Sequence, residues 1–133
     1  MEGKVRVEVH PTESREKVVK AVQTVMGEIE LQESEQGHIK VLEGRLEKME
    51  DIILLRDLFS RMRIRDAAFS LLTGAAVDDC LSFGLNKEAA YAGRASFYIA
   101  GASPTGPIQV ELSGDIDKVI EFLTGKSEYS DTF

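Results

Sequence analysis

The predicted strands of this sequence are short and alternate apolar with polar residues, and this pattern limits the possible folds more than any other feature. In residues 4–10, three valines alternate with charged residues, as expected for a strand that buries one face and exposes the other. The strands of a doubly wound parallel sheet are instead apolar on both faces. We therefore predict an α+β fold, with helices packed on one face of an antiparallel sheet.

Amphipathic helices are interspersed with five further segments of strand pattern. Those segments are residues 28–33, 38–44, 81–85, 95–100 and 108–112. Helices are predicted from a cap at Thr12 to Gly27, over 46–62, from 64 to Gly74, over 87–92 after a cap at Asn86, and over 115–123.

A bend is predicted near Arg63, in the middle of the chain. Apolar residues up to Met62 share one helical face, whereas those from Ile64 onward share another. Two residues correspond to about 200° of rotation in an α-helix, so one straight helix would place the two sets on opposite sides. We expect two helices that face different parts of the core.

The chain has 133 residues, the usual length of one domain. We predict a single α+β domain over residues 1–125 and a loose tail over 126–133. One cysteine, Cys80, can form no internal disulfide, which indicates a reducing compartment. The first nine residues lack the apolar run of a secretory signal, and no segment approaches the ~20 apolar residues of a membrane span. We therefore expect a cytoplasmic protein without a membrane partner.

Acidic residues outnumber basic ones, which opposes binding to nucleic acid. The net charge is −7, so the overall field repels phosphate. The charge is uneven, however, because residues 56–65 hold four arginines against Asp57 alone. Arginine binds phosphate through paired hydrogen bonds and stacks on bases, so this arginine zone (residues 56–65) could bind a nucleic-acid backbone. The same arginines could instead form a solvated face that pairs with Asp57 and Asp66.

Other candidate chemistry is weak, and we predict no catalytic residue, metal ligand, cofactor or small-molecule substrate. His10 and His38 have no second histidine or cysteine at ligand spacing. Cys80 lies beside two aspartates and no basic residue, which does not favour a reactive thiolate, so we expect a buried structural cysteine. Aspartates at 78–79 and at 115 and 117 are expected to cap structure. The loop 103–107 lacks the lysine of a phosphate-binding loop and is expected to be a stiff hairpin connection.

Several segments together resemble a known family. They are HPTE at 10–13, RMRIRDAA at 61–68, LSFGLNKEAA at 81–90 with GRASF at 93–97, and SPTGPI at 103–108. In order and spacing they are similar to uncharacterised protein family 201, an archaeal family grouped with predicted RNA-binding proteins, over about residues 4–123. The resemblance implies a fold like that of the ribosomal protein that binds 5S rRNA, an RNA-binding role and a tendency to form a homodimer. It implies no catalytic residues.

The resemblance and the arginine zone together predict a non-enzymatic protein that binds structured RNA, such as ribosomal RNA, mainly through phosphate contacts. The predicted RNA-binding residues are Arg56, Arg61, Arg63, Arg65, Asn86, Lys87 and Arg94. The alternative is a protein-interaction or assembly module whose acidic faces bind a basic partner such as a ribosomal protein. Arginines on one open face without carboxylates would favour RNA, whereas arginines interleaved with acids would favour the alternative.

Overall fold

The structure, a computed structural model, describes residues 1–101 and 103–127. Its strands are β1 (Glu2–Val9), β2 (Gln32–Gln36), β3 (Ile39–Leu46), β4 (Cys80–Leu85) and β5 (Ile108–Ser113). Its helices are α1 (Arg15–Met26), α2 (Ile53–Arg61), α3 (Arg65–Ala75), α4 (Lys87–Tyr91) and α5 (Ile116–Thr124), and a 3-10 turn, Met49–Ile52, precedes α2. Most of the predicted loose tail lies outside the described residues.

The strands form one antiparallel sheet in the order β2-β3-β1-β5-β4, which confirms the predicted fold class. The central strand β1 places Val5 opposite Gly44 of β3 and Val110 of β5. Val5 is buried against the helices, whereas Lys4 lies on the other face and forms an ion pair with Glu111 at 3.7 Å. The alternation in the sequence thus gives the sheet one apolar face and one charged face.

The predicted bend between α2 and α3 is confirmed, and Arg63 forms it. Arg63 adopts a left-handed conformation with φ of 57°. Its N–H donates to the carbonyl of Ser60 at 3.2 Å, and the N–H of Ile64 donates to the carbonyl of Phe59 at 3.1 Å. These two bonds form a Schellman motif, in which the left-handed position is usually glycine. Here an arginine occupies it.

Two predicted strands differ from the structure. Residues 95–100 form only an isolated bridge between Phe97 and Leu85. The N–H of Tyr98 still donates to the carbonyl of Gly84, but beyond Tyr98 the chain leaves the sheet. The strand predicted over 28–33 starts only at Gln32. The apolar residues before it, Ile29 and Leu31, pack against Gly44, which has no side chain and so leaves room for them.

Four local predictions are also wrong. The helix predicted over 46–62 begins only at Ile53, because β3 extends to Leu46 and a 3-10 turn precedes α2. The cap of α1 is Ser14 rather than Thr12, and its Oγ accepts the N–H of Lys17. Cys80 is exposed rather than buried, because the alternation of β4 turns Leu81 inward and leaves Cys80 on the opposite face. Helix α3 continues past Gly74 to Ala75. By contrast, Asn86 and Asp115 cap α4 and α5 as predicted.

Candidate nucleic-acid interface

The bend between α2 and α3 lies beside the segment that follows α4. The N–H of Ala95 donates to Met62 Sδ at 3.1 Å, which joins the two segments directly. The N–H of Arg94 donates to the carbonyl of Ala89, so Arg94 is fixed at the end of α4. Arg61 and Arg63 flank Met62 in the chain. The fold therefore brings Arg94 to the helix junction that carries Arg61 and Arg63.

A shallow hollow of about 560 Å³ lies between these segments. Its apolar lining consists of Met62, Ile64, Ala67, Ala89, Ala95 and Phe97, and its polar lining consists of Asn86, Glu88, Arg94 and Ser96. Phe97 contacts the ring of Phe59 at 5.5 Å and that of Phe83 at 6.0 Å between centroids, which fixes its position. The junction therefore combines basic residues with a partly apolar surface.

Three of the predicted arginines are free to bind a ligand. Arg61, Arg63 and Arg94 are exposed, and none forms an ion pair or a side-chain hydrogen bond with the residues that the structure describes. An unpaired guanidinium keeps all five of its N–H donors for a partner. We define these three residues as the junction arginines.

The other two arginines of the zone lie against α5. The Arg56 guanidinium contacts Asp57 at 3.3 Å and lies 4.8 Å from the centroid of the Phe122 ring. Arg65 reaches the end of α5, where its Nη1 lies next to Gly125. The structure therefore divides the predicted zone. Arg61 and Arg63 flank Met62, which lines the hollow, and Arg94 lines the hollow itself, whereas Arg56 and Arg65 lie toward α5.

Asp66, which follows Arg65 in the chain, pairs with a lysine rather than with an arginine. Lys126 forms an ion pair with Asp66. The hydrogen bond from Lys126 to Asp66 holds the pKa of Asp66 below its usual value, and the charge of Arg65 adds a smaller effect in the same direction. Asp57 and Asp66 therefore engage Arg56 and Lys126, and the junction arginines are not interleaved with these two acids.

Lys87 does not fit the predicted phosphate contact. Its side chain is buried, and Nζ donates to the Glu8 carbonyl at 2.5 Å, the Glu13 carboxylate at 3.0 Å and the Thr105 carbonyl at 2.9 Å. An ammonium has three donors, and all three are in use. Lys87 therefore ties α4 to the start of α1 and to the loop before β5. The loop 103–107, predicted as a hairpin connection, supplies one of the acceptors.

Asn86 does lie at the hollow. Its Oδ1 caps α4 by accepting the N–H of Ala89 at 2.8 Å, which leaves its amide NH₂ as the remaining polar group. The sequence interpretation missed Glu88, Ser96 and Phe97. The apolar positions in residues 95–100 were a signal for Phe97, but the prediction assigned this segment to a strand rather than to the wall of a hollow.

A larger depression of about 1100 Å³ lies along the sheet, but it is a poor phosphate site. Its basic residues Lys4 and Arg45 lie among glutamates of the neighbouring strands, such as Glu43 and Glu111. Carboxylates repel phosphate, so this surface does not compete with the junction arginines as an RNA contact.

The part of the chain that the structure describes contains no group of three or more histidine, cysteine, aspartate or glutamate side chains that could hold a metal ion. In the same described residues, no helix has the length and apolar character needed to cross a membrane.

Comparisons with known proteins give one consistent family. A family model described as RNA binding matches residues 4–114. The chain is 38% identical to the UPF0201 protein of Methanopyrus kandleri over 125 residues, which cover 86% of this chain and 79% of that protein. It is 35% identical to the UPF0201 protein of Pyrobaculum aerophilum, with 91% and 87% covered. The crystal structure of the UPF0201 protein from Methanococcus jannaschii superposes with a TM-score of 0.84 at 28% identity and covers 96% of both chains.

Proposed function

This chain belongs to the UPF0201 family, whose matching model is described as RNA binding, and from that premise we propose that it binds structured RNA through the junction arginines. One observation carries the proposal: three exposed arginines without carboxylate partners among the described residues lie on two segments that a hydrogen bond joins at the helix junction. Arginine matches phosphate geometry with two parallel hydrogen bonds. Contacts of this kind hold an RNA backbone without reading its sequence.

The acidic total does not prevent such binding. At physiological salt the Debye length is about 8 Å, so exposed glutamates farther away than that have little effect on a phosphate at the junction. The nearby acids Asp57 and Asp66 are already engaged by Arg56 and Lys126. Glu88, which lines the hollow beside Arg94, is a further carboxylate at this site, so phosphate contacts are expected from Arg61 and Arg63 more than from the hollow itself.

The backbone at Arg63 also supports a functional role. A residue with a Cβ in the left-handed conformation costs roughly 1 kcal/mol relative to glycine. Arg63 has φ of 57° at a position where glycine would be more stable. Strain of this kind is typical of functional positions, because the side chain supplies something that glycine cannot.

Arg63→Gly is expected to separate stability from binding. The free energy of unfolding should rise by about 1 kcal/mol, because glycine relieves the left-handed strain. Affinity for RNA should fall by about fivefold or more, since one charge-assisted contact is lost. Urea denaturation and fluorescence anisotropy with labelled RNA measure the two effects. The control is Asp78→Gly, at a second left-handed non-glycine position among the described residues, which should gain stability without losing affinity. A loss of stability in Arg63→Gly would contradict the account of the bend.

A salt titration with 5S rRNA and with total cellular RNA tests the proposal itself. Three phosphate contacts predict that affinity falls by about 20- to 40-fold between about 50 and 200 mM salt. Binding without this slope would show that phosphate contacts do not dominate. Absence of binding at about 50 mM salt would reject the RNA proposal, and the assembly module with a basic protein partner would then be the hypothesis to test.

We also propose that the chain acts without a catalytic step, because neither the description of the family model nor the names of the relatives assign an enzymatic activity. The cytoplasmic location, the homodimer and the likeness to the 5S rRNA-binding ribosomal protein stay predictions. Light scattering coupled to size exclusion would measure the oligomeric state directly.

A further inference from the structure

We infer that the hollow beside Arg94 accepts one unpaired nucleobase of the bound RNA, an inference that rests on the proposed function. The junction arginines would hold the backbone around the hollow while one base turns into it. The proposed ligand is thus not RNA in general but RNA with an unstacked nucleotide.

The apolar lining of the hollow suits the face of a base. Ile64, Ala67 and Ala89 offer small apolar surfaces, and Phe97 adds an aromatic ring. That ring is held by two other phenylalanines, so its position costs little entropy on binding. RNA-binding proteins commonly place unpaired bases against aromatic side chains of this kind. The volume of about 560 Å³ is within the usual range for small-ligand sites.

The polar lining distinguishes a base edge from a phosphate. Asn86 and Arg94 offer N–H donors, which either group could use. Glu88 offers a carboxylate, one oxygen of which is 3.4 Å from Ser103 Oγ. A carboxylate repels phosphate but accepts hydrogen bonds from the N–H groups of bases. A hollow that contains both donors and an acceptor therefore fits a base better than it fits the backbone.

A base within an RNA duplex cannot reach this hollow. The A-form helix stacks its bases and presents a deep, narrow major groove that side chains do not read. The hollow is shallow and lies between a helix junction and a turn, so only a base that has left the stack can enter. The inference therefore predicts a preference for bulges, loops or single-stranded ends.

The test compares two RNAs that differ by one nucleotide. One is a fully paired hairpin stem, and the other is the same stem with a single unpaired purine in the middle. The bulged RNA should bind about tenfold more tightly or better, as expected for one stacked base. With 2-aminopurine as the unpaired nucleotide, its fluorescence reports directly whether the base enters an apolar site.

A variant that fills the hollow tests whether the preference for the bulged RNA arises at the hollow. Ala67 is exposed on α3 and lines the hollow, so Ala67→Leu should occupy it without disturbing the core. This variant should bind both RNAs equally and keep the affinity of the paired stem. Ser70→Leu is the matched control, because Ser70 is exposed on the same helix and does not line the hollow. It should keep the preference.

The outcomes separate this inference from the proposed function. Equal binding of both RNAs by the unmodified protein would overturn the inference and leave the RNA proposal intact. A preference that survives in Ala67→Leu would also overturn it, because the base would then bind elsewhere. No binding of either RNA would reject both. Thermal melting of the two variants checks that each remains folded.

Discussion

Replacing Arg61, Arg63 and Arg94 together by glutamate is expected to lower the affinity for structured RNA by at least about 100-fold at about 50 mM salt. Each arginine offers a charge-assisted contact worth roughly 1.5–3 kcal/mol, and each glutamate would add repulsion from phosphate. Fluorescence anisotropy with a labelled stem gives the dissociation constants. The salt dependence should also nearly disappear, since no phosphate contact remains at the junction.

The control for this variant must change the net charge equally. Arg15, Arg45 and Lys118 are exposed on α1, β3 and α5. Their replacement by glutamate takes the net charge from −7 to −13, because each exchange removes two charges, and the junction variant makes the same change. We expect the control to lose no more than about threefold in affinity, because these residues lie on elements other than those of the junction and do not line the hollow. Equal losses in both variants would mean that overall charge, rather than the junction arginines, governs binding.

The fold was predictable from the sequence because its signals are local. The valines of β1 and the apolar residues of β4 alternate with polar residues over a few positions. That period is enough to identify a strand that buries one face and exposes the other to water. The bend at Arg63 followed from the change of apolar face between Met62 and Ile64. Each of these inferences uses residues within one or two turns of each other.

The site was only partly predictable, because its composition depends on contacts between distant segments. Lys87 follows a cap at the start of a short helix, where a lysine is ordinarily solvated. Its partly buried partner Glu13 lies 74 residues earlier in the chain, and nothing in the local pattern indicates that contact. Arg56 lies over the Phe122 ring of α5, and Arg65 lies next to Gly125 at the end of that distant helix. The family resemblance named the segments that carry Arg61, Arg63 and Arg94, but nothing in the sequence predicted that these segments adjoin.

Lys87→Met is expected to destabilise the protein by about 3–5 kcal/mol, the usual cost of removing one partner of a buried ion pair. The Glu13 carboxylate would lose its cation while largely shielded from water, and the carbonyls of Glu8 and Thr105 would lose their donor. Urea denaturation measures the loss. Lys118→Met is the control, because the Lys118 side chain is 79% exposed and its ion pair with Asp115 at 3.8 Å should contribute less than about 1 kcal/mol.

The same variant decides whether Lys87 binds phosphate or supports the fold. If Lys87 is structural, Lys87→Met should keep its RNA affinity at temperatures where it remains folded. Combining it with Glu13→Met should recover part of the lost stability, because replacing both members of a buried pair by apolar residues is often nearly neutral. The recovery should be incomplete, since the Glu13 carboxylate also accepts the N–H of His10 at 3.0 Å. If Lys87→Met stays stable but loses RNA affinity, Lys87 contacts RNA, and the buried geometry is contradicted.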